Sequence, residues 1–428
     1  MPEDSCSFGS CGGEPTVLLT DVSRFVTSAR LAIAFAAAGL RVEAVCPPRD
    51  HFLLKTRAVA RTHPYSWFDP LQSLKDAIEI AKPAIVIPCD DRGVEDLQEL
   101  YREARSGGSA GGHIADLIER SLGPAESFFA LVSRNDLLEV ARELGLRVPA
   151  SRLVRSTADL DSWRAEHPFP WVLKADGTCG GRGVRIVRAR EEAERAFVEM
   201  MRPPRASRAV VRLVVHRDAF GFRPWWKGEA PGVIVQACVK GSPANCAALA
   251  WRGKILAGIG AEVVAAQNPT GPATVVRVVE NADMTLAAER ISSHFKLSGF
   301  FGLDFMIEEG TGAAYLIEMN PRPTPLCHLQ LGPGRDMVSA LCARLTGRPL
   351  QEVPPVTEKQ LIAYFPRAWT FNKDLLPSCF QDMPQGEPEL VEELLDPKRN
   401  RHFIFRRLAR RRAVKAEALQ TTFPPVAS

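Results

Sequence analysis

Short apolar runs alternate with helical patterns in the first part of the chain. Runs such as TVLLT and AIVIP have the length and the β-branched content of buried strands. Strand–helix–strand alternation with short links is typical of a parallel sheet with helices on its faces, which predicts an α/β fold for residues 15–122. The predicted strands are 16–20, 41–45 and 84–88, and the predicted helices are 28–39 and 71–81.

The pattern changes after residue 123. Short strands surround one charged helix, and longer strands with antiparallel links follow. We therefore expect a two-part α+β domain over residues 123–350, whose smaller part, about 151–235, forms a lid. Residues 351–428 are expected to form a C-terminal extension with a basic tail, and residues 1–14, which are polar and Gly-rich, to be disordered. The lid strands are 152–154, 171–175, 184–187 and 232–239, around helix 190–200; helical segments at 114–121 and 134–144 precede them.

Two strands near residue 310 carry the strongest chemical signal. They flank a Gly-rich hairpin turn, residues 308–312. If the turn is centred on Thr311, Asp304 lies directly opposite Glu318, where Cβ atoms are about 4.5–5.5 Å apart and like charges destabilise the sheet. Period-two alternation puts Asn320 and Arg322 on the face of Glu318. The residues expected to face the core are Phe301, Leu303, Phe305, Tyr315 and Ile317.

Two carboxylates and an amide oxygen on one face predict a magnesium site. Mg²⁺ prefers hard oxygen ligands, with waters and substrate phosphates completing its shell. A cation would also cancel the repulsion between Asp304 and Glu318. The alternative is structural: Asp304 would pair with a basic side chain elsewhere, and Glu318 with Arg322. The register and Asn320 favour the metal site, provided that the strands have not slipped by one residue.

A lysine followed by four glycines marks the segment KADGTCGGRGV, residues 174–184. This is not a Walker A loop, because it lacks Gly-Lys-Ser/Thr, and it joins two strands instead of opening a helix as a Rossmann loop does. Glycines let backbone N–H groups approach a polyphosphate, and Lys174 adds a positive charge. Taken alone, a phosphate loop and a Gly-rich hairpin with a solvated lysine are equally supported.

Composition excludes several classes of protein. The chain has 428 residues, 46% of them hydrophobic, and its longest apolar stretch, residues 31–40, is too short to cross a membrane. Acidic residues at positions 3 and 4, with no apolar segment, predict that there is no signal peptide. The ten cysteines form no CxxC pair and no zinc spacing, so we expect a reducing, cytoplasmic location.

A basic tail lies behind the net charge of +4. Residues 397–416 contain nine Lys and Arg residues and no acid, so the rest of the chain is mildly acidic. Nucleic acid or an anionic lipid surface is one kind of ligand for such a segment. We favour a solvated helix that docks by a thin apolar stripe, Ile404, Phe405 and Leu408, and we expect no nucleic-acid partner.

Taken in order, these segments resemble the ATP-grasp ligases, such as D-alanine–D-alanine ligase, biotin carboxylase and the large subunit of carbamoyl-phosphate synthetase. The resemblance covers about residues 15–345. It consists of the α/β domain, a helix opened by Ser133 and Arg134 and ending in ELGLRVPAS, the lysine with its Gly-rich loop, the strand VIVQACVKG and the hairpin GLDF…LIEMNPRP. Its most specific part is EMNPR after an apolar strand, with an acid about 14 residues earlier.

The resemblance implies an N-terminal preATP-grasp domain followed by a domain that holds Mg-ATP between lid and core. It also implies a role for each site residue. Asp304, Glu318 and Asn320 would bind two Mg²⁺ ions, for which Mn²⁺ is an alternative. Lys174 would contact the α-phosphate and adenine, and Arg322 would stabilise the transferring phosphoryl group. The other residues implied to bind ATP are Arg134, the lid glycines Gly180, Gly181 and Gly183, and Gln236, Ala237, Cys238 and Val239 on the adenine strand.

Two positions depart from the family pattern. Arg134 stands where the family usually has lysine, which keeps the charge but changes the geometry. The acid that usually holds the ribose is missing, with Pro243 or Asn245 near its place.

Other side chains are candidates with weaker support. Arg277, His328 and Arg335 flank the predicted site and are candidates for binding a substrate carboxylate or acyl-phosphate, although a packed loop histidine is the favoured reading of His328. Asp90 and Asp91 follow an N-terminal strand, where α/β sheets often place ligands. We expect these two acids to cap the next helix instead.

The activity implied by the resemblance is that of an ATP-dependent ligase. A carboxylate would be phosphorylated to an acyl-phosphate, which an amine, or less often a thiol, would then attack. The expected partners are ATP and small carboxylate and amine substrates, and a homodimer is compatible with this reading. The alternative is a non-catalytic ATP-binding protein on the same fold, which Arg134 and the missing ribose acid motivate. No motif identifies the two substrates.

Overall fold

A computed structural model describes residues 14–107, 111–128, 134–175, 183–201, 232–350 and 354–396. The helices are α1 (Val26–Ala37), α2 (Pro70–Ala81), α3 (Asp91–Ser106), α4 (Gly112–Leu122), α5 (Arg134–Glu143), α6 (Thr157–Glu166), α7 (Arg190–Met201), α8 (Ala282–Phe295), α9 (Met337–Thr346), α10 (Arg367–Phe371) and α11 (Pro388–Leu395). The strands are β1 (Thr16–Thr20), β2 (Arg41–Cys46), β3 (Arg61–Pro64), β4 (Ile85–Pro88), β5 (Ser151–Val154), β6 (Trp171–Ala175), β7 (Val184–Val187), β8 (Val233–Ala237), β9 (Gly241–Trp251), β10 (Lys254–Ala266), β11 (Ala273–Val279), β12 (Gly299–Glu308), β13 (Ala314–Asn320), β14 (Leu361–Tyr364) and β15 (Phe380–Asp382).

The N-terminal sheet is parallel, as its sequence pattern predicts. Its strands lie in the order β3-β2-β1-β4. Strand β3 reads RTHP and has no apolar alternation; it is an edge strand with only His63 buried, which explains why the pattern does not predict it. Because β1 and β4 are parallel neighbours, their carboxyl ends place Asp21 and Asp90 at the same edge of the sheet.

A small antiparallel sheet, which we call the lid sheet, has the order β5-β8-β6-β7. One face packs on α6 and α7 through a core that includes Trp163, Trp171 and Phe197. The sequence pattern predicts only α7 here. Helix α6 begins with a capping box, in which Ser156 accepts a hydrogen bond from the backbone N–H of Asp159 and the Asp159 carboxylate accepts one from that of Ser156.

The largest sheet has seven strands in the order β13-β12-β9-β10-β11-β14-β15. The strands from β13 to β14 are antiparallel neighbours, and β15 pairs parallel with β14. Strands β14 and β15 lie beyond residue 350 and extend this sheet past β11. The domain bounds at residues 122 and 350 stay a prediction.

Two hydrophobic cores join the N-terminal elements to this sheet. Leu18 packs in one core with Phe301 and Leu303, and Leu19 packs in the other with Leu249. Adjacent residues of β1 thus serve opposite faces, as period-two alternation requires. The central position of β1 is therefore secured from both sides.

The chain divides into two compact units after Asp382. In the second unit the described residues, 383–396, contain helix α11, which has proline at its first turn. The basic tail lies outside the described residues. Of the helices that the structure describes, none combines the length and the apolar content needed to cross a membrane.

Candidate functional site

Asp304 on β12 is paired directly with Glu318 on β13, as the sequence predicts. The register near the turn differs from the predicted one, because the pair nearest the turn is Ile307 with Ala314. A β-bulge between Asp304 and Phe305 then brings Asp304 opposite Glu318. Phe305 pairs with Leu316, so Ile317 is the extra residue on β13.

Because of the bulge, the residues of β13 that face the core differ from the predicted ones. Leu316 and Ala314 are buried, whereas Tyr315 and Ile317 are only partly buried. The prediction of Tyr315 and Ile317 as core residues is therefore wrong, because an extra residue reverses the alternation on the turn side of the hairpin.

Two amides hold the Asp304 carboxylate. Asn245 Nδ2 on β9 donates to Oδ1 at 2.6 Å, and Asn320 Nδ2 donates to Oδ2 at 2.9 Å. Burial and the negative charge of Glu318 nevertheless raise the pKa of Asp304 to about 6, against the effect of these hydrogen bonds. The carboxylate therefore lies in a position where a cation would stabilise its charged form.

Asn320 bridges Asp304 to Arg322. Its amide oxygen accepts a hydrogen bond from Nη2 of Arg322 at 3.1 Å, while its amide nitrogen faces Asp304. For the oxygen of Asn320 to bind a metal beside Asp304, the amide would have to turn over. Rotation of the amide group by half a turn exchanges its oxygen and its nitrogen. Asn320 therefore suits both hydrogen bonding to Asp304 and binding to a metal beside Asp304.

Arg322 connects the hairpin to the N-terminal sheet. Its Nε donates to Oδ1 of Asp91 at 2.7 Å, and its guanidinium lies over the Phe25 ring at 5.1 Å from the ring centre. Asp91 is the first residue of α3, directly after β4. The predicted phosphoryl-binding arginine is thus in contact with three parts of the chain: β13, the loop after β1 and the start of α3.

Asp90 and Asp21 form a buried acidic pair beside this arginine. Asp90 caps α3, as predicted, by accepting from the backbone N–H of Gly93 at 2.8 Å. Burial and the charge of Asp21 raise the pKa of Asp90 to about 7. Asp21 organises the loop after β1, accepting from the backbone N–H groups of Ser23 and Phe25. Both acids therefore have structural partners.

The lid sheet places Lys174 and Gln236 on the face away from the lid core. Lys174 on β6 pairs with Ile234, and Gln236 on β8 pairs with Val172, so the two polar side chains share a face. Both are buried, with 5% and 2% exposure. Among the described residues, Nε2 of Gln236 has no hydrogen-bond partner. A buried, unsatisfied amide is costly and suits a ligand that bonds to it.

Only some of the remaining residues predicted to bind ATP lie within the described part of the chain. The backbone N–H of Ala237 already donates to Ala150 O at 2.9 Å, while Cys238 and Val239 lie in the link from β8 to β9. Gly183 precedes β7, and its carbonyl accepts from the N–H of Ala175. Gly180 and Gly181 lie outside the described residues. Arg134 begins α5, and its side chain is likewise outside the description.

The three weaker candidates have acidic partners instead of an open site. Arg277 pairs with Glu262 at 3.3 Å and Arg335 with Glu280 at 2.5 Å. His328 is buried, and its Nε2 lies 3.0 Å from Asp382 on β15. Burial lowers the pKa of His328, although the Asp382 carboxylate opposes this. The favoured reading of His328 as a packed loop histidine agrees with this geometry.

The sequence does not predict the contacts that two further residues make at the site. The sequence places Asn245 only near the expected ribose position, yet Asn245 contacts Asp304. The contact forms because β9 pairs with β12 so that Asn245 stands opposite Asp304. The sequence predicts a helix-capping role for Asp91, yet Asp91 also binds Arg322, 231 residues away. No local pattern predicts either contact.

The donor set fits magnesium. Asp304 and Glu318 supply carboxylates and Asn320 supplies an amide. Burial and the charge of Glu318 raise the pKa of Asp304, and a divalent cation would offset both effects. The described residues contain no group of three or more His, Cys, Asp or Glu side chains that could hold a metal. A site with two carboxylates matches an ion that keeps waters and takes oxygens from substrate phosphates.

Comparisons with known proteins identify the fold. Residues 135–325 match the model of the ATP-grasp domain, and no curated protein matches the chain in sequence. Among solved structures, an N5-carboxyaminoimidazole ribonucleotide synthetase in complex with ADP matches with a TM-score of 0.55 and 15% identity, over 80% of each chain. An L-amino acid ligase from Bacillus licheniformis matches at 0.52 and 14%, over 80% of this chain and 75% of the other.

A third structure gives the same result. The phosphoribosylamine–glycine ligase from Thermotoga maritima matches with a TM-score of 0.53 and 17% identity, over 79% of this chain and 78% of the other. The fold is that of the ATP-grasp proteins, a parallel-sheet domain followed by a two-part α+β domain. The match of residues 135–325 to the ATP-grasp domain model agrees with this fold.

Proposed function

We propose that the protein is an ATP-dependent ligase that joins a carboxylate to an amine through an acyl-phosphate. The observation that supports this most is the pairing of Asp304 with Glu318 on the face that also carries Asn320 and Arg322. Two acids held opposite each other, with an arginine beside them, suit the charge changes of phosphoryl transfer. The ligases among the similar structures support the same class of reaction.

ATP would bind between the lid sheet and the seven-stranded sheet. Lys174 would contact the phosphate chain, Gln236 and the link after β8 would contact the base, and the Gly-rich loop would close over the phosphates. Asp304, Glu318 and Asn320 would hold Mg²⁺, which would neutralise the phosphates of bound ATP. The burial of Lys174 and Gln236 on one face of the lid sheet supports this placement.

The reaction would proceed in two displacements. A carboxylate oxygen of the substrate attacks the γ-phosphorus of ATP, the bond to the bridging oxygen breaks, and ADP leaves. The amine nitrogen then attacks the acyl carbon, inorganic phosphate leaves and the nitrogen loses a proton. Arg322 would stabilise the charge on the transferring group, since a guanidinium binds phosphoryl oxygens well. Neither displacement needs a nucleophile from the protein.

The finer parts of the proposal concern the acceptor and the setting. An amine is favoured over a thiol, and one or two ions, Mg²⁺ or Mn²⁺, are compatible with the donor set. The cysteines of the described residues are free thiols, which agrees with a reducing cytoplasm. A homodimer is compatible with the proposal.

The test is to incubate the purified chain with Mg-ATP and a library of carboxylic acids, each with and without an amine. We expect ADP release that requires one carboxylate and increases with one amine, together with a new amide detected by mass spectrometry. Nucleotide binding without turnover on any pair would favour the non-catalytic alternative. Full activity after Ala substitution of Glu318 and Asn320 would contradict the metal-site assignment.

A further inference from the structure

We propose that Asp91 is a positioning residue that orients Arg322 for the oxygen atoms of the transferring phosphoryl group. This inference rests on the proposed function and extends it by a residue from the N-terminal sheet. It adds a carboxylate that would contact neither nucleotide nor metal to the set of groups that control the reaction.

The guanidinium of Arg322 carries five N–H groups in one plane. Asp91 takes the Nε edge, with Nε to Oδ1 at 2.7 Å and Nη2 to Oδ2 at 3.4 Å. The other Nη2 hydrogen reaches the amide oxygen of Asn320 at 3.1 Å. In the described structure these contacts use Nε and Nη2 and leave the two hydrogens of Nη1 for a ligand.

The ring of Phe25 fixes the remaining direction of motion. The guanidinium lies 5.1 Å from the ring centre, so the ring restricts its tilt while Asp91 restricts its rotation. The Arg322 side chain is 16% exposed, which leaves little room for other orientations. A planar cation held through Nε and Nη2 and on one face presents Nη1 in a single direction, as a positioned catalytic group requires.

Asp91 has a second, purely structural role to set against this one. It is an acid in the first turn of α3, where a negative charge stabilises the helix. However, Asp90 already caps this helix, and the Asp91 side chain is 36% exposed, so the helix does not depend on Asp91 for its cap. Its contact with an arginine 231 positions away adds nothing to the helix itself.

The experiment compares nucleotide affinities, measured by calorimetry in the presence of Mg²⁺, for ATP and ADP. We expect Asp91→Asn to bind ADP as the unmodified chain does and to lose about tenfold in ATP affinity, because only ATP carries the γ-phosphate near Arg322. Asp91→Glu, which keeps the charge, should recover part of that loss. The matched control is Glu95→Gln, one turn along α3, where the acid pairs with Arg92 at 3.7 Å.

Each other result has a distinct meaning. If Asp91→Asn loses ATP and ADP affinity equally, or loses neither, the ratio of the two affinities is unchanged and the positioning role is overturned. Thermal unfolding of the same samples separates a damaged fold from a changed site, since a variant that merely unfolds loses both nucleotides together. Failure of the unmodified chain to bind either nucleotide would overturn the proposed function and this inference with it.

Discussion

Asp304 and Glu318 stand directly opposite each other on β12 and β13, and a bulge at Ile317 puts them in register. Without the extra residue, the turn would pair Asp304 with Ile317 and move Glu318 to the other side of the sheet. Natural sheets avoid like charges in this position because they destabilise the pairing. A bulge that creates such a pair supports a functional role for the two acids.

Removal of either acid should weaken metal-dependent nucleotide binding. We expect Asp304→Asn and Glu318→Gln to weaken Mg-ATP binding about 10- to 100-fold and to leave thermal stability equal or higher, because the repulsion is removed. Calorimetry with and without Mg²⁺ measures the effect. Glu309→Gln is the control, since that acid lies at the exposed turn and pairs with Lys240; an equal loss in the control would contradict the assignment.

The stability of the ligand-free protein should depend on the protonation of Asp304. Its pKa rises from an ordinary 3.8 to about 6 on folding, so the folded state holds the proton more tightly. Its contribution to the free energy of unfolding is thus largest below pH 3.8 and falls as pH rises towards 6, by up to about 3 kcal/mol.

The measurement is the melting temperature of the unmodified chain and of Asp304→Asn between pH 4 and pH 7.5. The stability of the variant relative to the unmodified chain should increase with pH across this window. Added Mg-ADP should reverse the trend for the unmodified chain, because the ion favours the ionised carboxylate. Parallel pH profiles without nucleotide would refute the raised pKa.

Asn245 should tune the metal site without contacting the ion. Its amide donates to Asp304 at 2.6 Å, and its loss would raise the pKa of that carboxyl further. Asn245→Ala should therefore weaken Mg²⁺-dependent ADP binding about tenfold and move its pH midpoint upward. Asn268→Ala, in the exposed loop after β10, serves as the control. An unchanged pH midpoint for Asn245→Ala would rule this role out.

Substitution of Gln236 should weaken nucleotide binding without lowering the stability of the lid sheet. Its Nε2 is buried and has no partner in the described structure, so Gln236→Leu should leave the ligand-free lid as stable or more stable. If the base of the nucleotide is the missing partner, the same change should weaken ATP binding about tenfold. Gln381→Leu on β15 is a control outside the lid sheet, at an exposed amide that donates to the carbonyl oxygen of Leu376. Unchanged ATP affinity in Gln236→Leu would exclude a contact between this amide and the nucleotide.

Local patterns predicted much of the fold and the main pair of the site. Apolar runs with short links were enough for β1, β2 and β4, because each strand is buried in a parallel sheet. Asp304 and Glu318 lie on one hairpin, so the sequence predicted that they pair, although it did not predict the bulge at Ile317 that sets their register. In contrast, edge strand β3 has no apolar pattern to detect.

The contacts that join distant segments were decided only by the tertiary structure. Asn245 meets Asp304 because β9 pairs with β12, and Asp91 meets Arg322 because β4 ends beside the hairpin. Such contacts depend on how sheets are ordered and packed, which the periodicity of any one segment does not encode. The sequence by itself determined which groups can bind a cation and a phosphate. Their partners, orientation and raised pKa values depend on burial and neighbours that exist only after folding.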